Sequence, residues 1–257
     1  MKQQIVLIIF FTFLSSILSG APKQKEKSEE SLKWGIAVEP AMDWDLSETN
    51  FVAKLRADAL LQKSRNNMLQ IVIAIHNYHD TNGTYPTNIF DKNGKAILSW
   101  RVQLLPYIEQ DNVFRAFKLD EPWDSPNNKP LSETTIKVYD NPRLKTNKHN
   151  YTVYQQFAGP GTLCPTKAEK LTFNDIKDGT SNTLALIESS QAVPWAKPDD
   201  IPWDGKSDLP NIGKPYGKKL LLATADGSIR TVNWSQLSKE QKKAMLTRDG
   251  GEKFGFE

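Results

Sequence analysis

The chain has a single cysteine, Cys164. An internal disulfide is therefore excluded, and stability must come from packing. A lone thiol acts as a nucleophile only beside a base that lowers its pKa. No sequence feature supplies that base, so Cys164 reads as a small core or loop residue. Beyond Leu18 no long apolar run occurs, which leaves nothing near the roughly 20 residues that span a bilayer. A basic stripe is missing as well: 33 Lys and Arg are interleaved with 30 Asp and Glu, for a net charge of +3. Nucleic acid, which needs clustered positive charge, is not an expected partner. There is also no Gly-rich phosphate loop, no nucleophile elbow and no HExxH metal motif. The sequence implies no cofactor, and a non-enzymatic protein is expected.

What is present begins with a leader. Lys2 precedes an apolar run from Ile5 to Leu18, and Ser19, Gly20 and Ala21 follow, the charged, apolar and small-residue order of a secretory signal peptide. Cleavage is expected after Ala21, with Gly20 the neighbouring alternative, and the mature chain is then expected outside the cytoplasm, secreted, periplasmic or at the cell surface. Residues 22–45 open with KQKEKSEESLK from Lys23, a charged, aperiodic stretch that reads as a solvated linker. Residues 46–257 are expected to form one domain, since 257 residues at 39% hydrophobic content suffice for one substantial core.

From Ser47 to His79 the pattern is helical: Phe51, Leu55, Met68, Val72, Ile75 and His79 recur at three- and four-residue steps without an intervening Pro. The half from Met68 to Ile75 is apolar nearly all round and is expected to be buried. Asn82-Gly83 ends the helix. Downstream, Asp91 to Gly94 reads as a turn and Ser99 to Ile108 as a helical stretch interrupted at Pro106. Ser125-Pro126 reads as a helix cap followed by Pro at the first helical position. Strands are expected at Thr152–Ala158, Leu184–Glu188, Leu220–Ala225 and Ile229–Asn233. Asp226-Gly227 turns the last pair into a hairpin. Ser238, three residues before Gln241, starts a final helix that Gly250 closes. A helix followed by antiparallel strands makes an α+β domain.

Several blocks carry a resemblance: NNMLQIVIAIHNYHDTNGTYP from Asn66, SWRVQLLPYIEQ from Ser99, LDEPWDSPNNKPL from Leu119 and FAGPGT from Phe157. They continue with IKDGTSNTLALIES from Ile176, AVPWAKPDD from Ala192, ADGSIR from Ala225 and LTRDGGE from Leu246. Together these resemble the exported domain-of-unknown-function family abundant in Planctomycetes, marked by a C-terminal H-X9-DG signature, over roughly residues 50 to 250. Members of that family resemble type II secretion pseudopilins, so the resemblance implies a pilin-like fold with a long N-terminal helix packed on a small antiparallel sheet. Two departures stand out. The prepilin leader and its continuing membrane helix are absent, which removes the main packing element of a pilus-like fibre. At the signature, Tyr216, separated from Asp226-Gly227 by nine residues, stands where the family has His.

Other candidate sites are sparser. His76 and His79 share a helix face beside Asp80, the arrangement of a two-His metal site, yet a metal needs at least one more ligand. Packing of one His against the sheet is the competing reading. Trp123, Trp195 and Trp203 each follow Pro in polar loops, with Asp124, Asp199 and Asp204 nearby. Such rings can form a stacking platform for sugars, with the carboxylates accepting hydroxyl hydrogen bonds; alternatively they fold inward as core. Glu121 with Asp124 offers a carboxylate pair of the glycosidase kind. Asp178 to Asn182 resembles a calcium-loop fragment without alternating ligands or a closing Glu, and a turn leading into the strand Thr183 to Glu188 accounts for it. The expected function is a structural or partner-binding role in the envelope or extracellular space, with an envelope protein or a glycan as partner. In it Met68, Leu69, Val72, Ile73 and Ile75 dock the helix on the sheet. A glycan- or solute-binding module using the loop tryptophans is the alternative, and an acidic hydrolase the third reading.

Overall fold

The computed structural model describes residues 51–142, 149–207, 209–210, 212–213 and 219–252, with side chains from residue 54 onward. The expected leader, linker and Tyr216 lie outside the described residues. All described residues fall in one compact unit, Ile36–Glu257. It is an α+β arrangement built from antiparallel sheet and helix.

The helix α1 runs Phe51–Asn82, 32 residues, or about 48 Å at 1.5 Å per residue. Gly83 ends it with a φ of 66°, and its N–H returns to the His79 carbonyl at 2.7 Å. Short elements follow: β1 (Ile89–Phe90) pairs antiparallel with β2 (Ala96–Leu98), and α2 spans Trp100–Gln103. Ser99 caps α2 by accepting from the Arg101 N–H. Pro106 sits in the first turn of a separate 3-10 helix, Leu105–Ile108, where its missing N–H is tolerated. Two short helices come next, α3 (Asp111–Ala116) and α4 (Lys129–Ser132). The expected cap at Ser125-Pro126 starts a turn instead. Ser125 Oγ accepts the Asn128 N–H at 3.1 Å, and α4 begins only at Lys129.

The main sheet takes β3 (Tyr151–Gln155), β5 (Leu184–Pro194), β7 (Lys219–Thr224) and β8 (Ile229–Asn233) in that spatial order, every pair antiparallel. β5 is longer than expected and carries irregular register against both neighbours. The expected strand Thr152–Ala158 divides, because β4 (Phe157–Ala158) leaves the sheet to pair in parallel with β6 (Ile201–Pro202). The last helix, α5 (Lys239–Leu246), opens with the expected capping box of Ser238 and Gln241. It ends at Thr247 in extended backbone, so Gly250 does not close it.

Alternation along β7 separates two cores. Leu221 and Ala223 join the larger cluster with α1, while Leu220 and Leu222 join a smaller one with Met245 and Leu246 of α5. Successive strand side chains point to opposite faces, so α1 and α5 cover opposite faces of one sheet. α1 packs on β5, β7 and β8 through Met68, Ile71, Val72, Ala74 and Ile75, all buried. The expectation that Leu69 and Ile73 also dock is corrected: they are 43% and 49% exposed. A helix with 3.6 residues per turn presents one side to a sheet, and an all-round apolar segment leaves its other side in water.

Two buried polar nodes bind the helix-side core. Arg101 Nη2 meets Asp200 Oδ1 at 2.7 Å with both side chains fully buried. Arg101 also donates to the Tyr154 carbonyl and to Ser99 Oγ, while Asp200 accepts from Trp100 Nε1 and the Gln156 N–H. In the second node, Glu188 accepts from Ser64 Oγ at 2.7 Å and from Asn141 Nδ2 at 3.1 Å. Ser64 thereby anchors the middle of α1 to β5.

Candidate functional site

The sequence blocks that lie far apart in the chain meet at the tip of the β7–β8 hairpin. Gly227 takes a φ of 90°, left-handed backbone that favours glycine, and its N–H closes the turn on the Thr224 carbonyl at 2.9 Å. Asp226 Oδ1 accepts Thr224 Oγ1 at 2.6 Å and the Ser228 N–H at 3.0 Å. Burial pushes the Asp226 carboxyl up, but the Thr224 and Ser228 donors outweigh it and hold the group below its ordinary value. The Ala225 and Asp226 N–H groups donate to the Thr183 and Thr180 carbonyls at 2.9 and 3.0 Å. On the helix side, the His76 Nε2 to Ala225 O distance is 2.9 Å, which sets Nε2 as the protonated donor.

A second Asp-Gly turn completes this corner. Asp178 Oδ2 and Oδ1 accept the N–H groups of Gly250 and Gly251 at 2.7 and 2.9 Å. Arg248 bridges the same corner to Glu169 at 2.5 Å and to the Thr162 carbonyl at 2.8 Å. The turn at Asp178–Asn182, whose sequence resembles a calcium-loop fragment, thus directs the Asp178 carboxylate at backbone N–H groups. The corner is a lock: it fastens the C-terminal segment and the hairpin to each other and to α1.

The two histidines lie together, with ring centroids 4.9 Å (His76) and 4.4 Å (His79) from Phe173. His79 Nδ1 is 3.7 Å from Asp80 Oδ1. Among the described residues no group of three His, Cys, Asp or Glu side chains is placed to hold a metal ion. Cys164 is fully buried, and burial pushes its thiol well up. That favours the protonated form over a nucleophilic thiolate.

The three loop tryptophans do not share a face. Trp195 is fully buried in the helix-side core, its Nε1 donating to the Thr134 carbonyl at 3.0 Å, and it stacks near Tyr139. Trp203 is buried in the opposite core, across the sheet. Trp123 is half-buried against the helix-side core, with Asp124 exposed beside it. The three rings therefore do not form one stacking platform, and the inward-folding alternative describes Trp195 and Trp203, since large rings gain more from burial than from a loop perch. Asp204 folds onto its own loop, accepting the Lys206 and Ser207 N–H groups at 2.9 and 2.7 Å. These backbone donors lower its carboxyl to about 2. Asp199 pairs with Lys197 at 2.6 Å. Glu121 accepts from Asn127.

The side of α1 turned away from the sheet was not singled out by the sequence reading. Leu55, Leu69 and Ile73 are 52%, 43% and 49% exposed, and Ala59, Gln62 and Asn66 are exposed along the same line. At 100° per residue these six positions fall within about 80° of one another. The signal was available as the seven-residue steps Leu55, Gln62, Leu69. The corner carries spent polar groups; this stripe carries unspent apolar surface.

Among the described residues no helix is long and apolar enough to cross a membrane. No curated protein and no solved structure matches the chain. One family model, described as a protein of unknown function (DUF1559), matches residues 61–248, from the inner half of α1 through β8 and α5 to the Arg248 lock. With well over half of its length covered by that model, the chain belongs to the DUF1559 family of proteins of unknown function.

Proposed function

We propose that this chain is an exported, non-enzymatic, pilin-like structural protein of the envelope or extracellular space that assembles by pairing the outer side of α1 with the same side of a second copy. The observation that carries the reading is the self-complementary order of the exposed stripe. Running the helix backwards about residue 64 brings Leu55 opposite Ile73, Ala59 opposite Leu69, and Gln62 opposite Asn66. A two-fold antiparallel pair therefore sets apolar against apolar at both ends and amide against amide in the middle. Such an isologous contact closes on itself, and a central polar pair fixes its register.

The pilin-like part of the reading rests on the long helix over an antiparallel sheet together with the family resemblance. The leader-like residues 1–21 support export. The inward-facing Trp195 and Trp203 favour this reading over a glycan platform built on the loop tryptophans.

Sedimentation of the purified chain at rising concentration tests the proposal. The expected result is a monomer–dimer equilibrium that Leu69→Ser/Ile73→Ser shifts to monomer, with a melting temperature unchanged at concentrations where the wild-type chain is itself monomeric. A wild-type chain that stays monomeric throughout, or a dimer that survives both substitutions, overturns it.

A further inference from the structure

Between the C-terminal end of α1 and β1, a cleft of about 440 Å³ separates residues 78–90 from residues 168–170, and both walls lie in continuously described stretches of the chain. Its volume falls within the roughly 300–1,000 Å³ of small-molecule sites. Tyr85 and Asn88 are its buried lining residues, and each is fixed from behind. Tyr85 Oη accepts from Gln156 Nε2 at 3.1 Å, and its ring meets Phe173 edge-on at 6.0 Å. Asn88 Oδ1 accepts the Trp100 N–H at 3.0 Å, and its Nδ2 lies 3.6 Å from Cys164 Sγ. Gln103 ties two further lining residues together, accepting from the Tyr78 hydroxyl and donating to the Thr87 carbonyl. Groups held this way are preorganised, so a ligand meets little cost of ordering them.

An aromatic ring and several polar groups remain to meet a ligand. Phe90 is half-buried and packs in neither core cluster. Thr87 Oγ1 has a 3.5 Å contact with the Asn88 carbonyl, too long for a good hydroxyl bond. On the exposed wall Glu169 gives Oε1 to Arg248, which leaves Oε2 to accept, and Lys170, next in the chain, adds an ammonium donor. A peptide strand added along this edge finds few partners. Pro86 has no N–H, the Tyr85 N–H is spent on the Leu171 carbonyl, and the Thr87 carbonyl is spent on Gln103. A ligand with net charge is opposed by one of the two rim charges, whichever its sign. Sugar hydroxyls both donate and accept, and a ring with equatorial hydroxyls offers a flat C–H face to an aromatic side chain. We propose that this cleft binds a neutral, equatorially hydroxylated sugar residue of a polysaccharide, with its ring against Phe90 and its hydroxyls on Thr87, Glu169 and Lys170. The site shares no residue with the α1 pairing stripe, and the failure of either leaves the other standing.

The test titrates the full chain with cellohexaose, with the hexaglucuronate of the same linkage and with an alternating Thr-Val hexapeptide, read by calorimetry and by amide chemical shifts. Cellohexaose is expected to bind, with shift changes concentrated in the two walls of the cleft. Phe90→Ala is expected to raise Kd about fivefold or more, the worth of an aromatic contact. Thr87→Val is expected to raise it about two- to tenfold, the worth of one hydrogen bond. That second variant keeps the side-chain shape and an unchanged melting temperature, so it tests the site even where Phe90→Ala loosens β1. The hexaglucuronate and the peptide are expected to bind more weakly than cellohexaose. The proposal is overturned if cellohexaose does not bind, if its shift changes fall elsewhere, if Thr87→Val binds it as tightly as the parent chain, or if the hexaglucuronate or the peptide binds as tightly as cellohexaose.

Discussion

The two long sides of α1 differ in what they ask of the rest of the chain. The inner side carries Ser64, Met68, Ile71, Val72, Ala74 and Ile75 into contact with the sheet, all buried. The outer side carries Leu55, Leu69 and Ile73 with no covering element among the described residues. Burial of a large aliphatic side chain contributes about 1.5–3 kcal/mol, and the inner side already collects that gain within the monomer. The outer side keeps it for a contact between chains. One amphipathic pattern thus serves the fold on one side and, in the proposed account, assembly on the other.

This contrast breaks most visibly on the inner side. Ile71→Ala removes a fully buried side chain and leaves a cavity between α1 and the sheet. The expected loss is about 2–5 kcal/mol in urea unfolding, and a loss below about 1 kcal/mol would mean that the helix is loosely seated. Ser64→Ala comes next. It strips a short hydrogen bond from the buried Glu188 carboxylate, and a bond to a charged group is worth about 1.5–3 kcal/mol. Ser64→Thr, which keeps a hydroxyl, is expected to recover part of that loss.

Smaller effects lie at the corner and on the outer side. Gly227→Ala forces a Cβ into left-handed backbone, where it meets Val72 Cγ1 at 3.5 Å. About 1–2 kcal/mol is expected, read as a fall in melting temperature. Asp226 adds a pH signature. Its folded carboxyl is lowered, so its contribution is complete above the ordinary carboxyl pKa and is lost as pH falls through the lowered folded value. Asp226→Asn should flatten the acid limb of the stability profile, and an unchanged acid limb would show that the turn does not hold the carboxylate as described. Leu69→Ser/Ile73→Ser should cost no more than about 0.5 kcal/mol in the monomer, as exposed positions do. A large loss there would place those side chains inside the fold.

Local rules carried much of the architecture. The three- and four-residue periodicity from Phe51 gave the long helix, Asp226-Gly227 gave the hairpin, and Ser238 with Gln241 gave the α5 cap, because each depends on a few adjacent residues. Where the outcome depended on distant partners, the sequence was silent or misleading. The split of β3 from β4 follows from pairing with Ile201, about 45 residues on. Trp195 and Trp203 lie on opposite sheet faces because of how their loops return, which Pro-Trp spacing cannot encode. The Arg101–Asp200 pair and the Asp178 lock join residues roughly 70 to 100 positions apart, beyond the reach of motif spacing. Leu69 and Ile73 misled for a simpler reason: a segment apolar all round does not state which side meets the sheet.

The pairing of α1 with a second copy is tested most directly by crosslinking. Leu55→Cys and Ile73→Cys are prepared as separate proteins, with the native Cys164 buried and shielded from exchange, and are oxidised alone and as a mixture. The antiparallel register predicts a disulfide-linked dimer in the mixture and none in either protein alone, because Leu55 of one chain faces Ile73 of the other, where the pair can reach the roughly 3.5–4.5 Å Cβ separation that a disulfide needs. Homodimers from each variant alone, or no crosslink in the mixture, would contradict it.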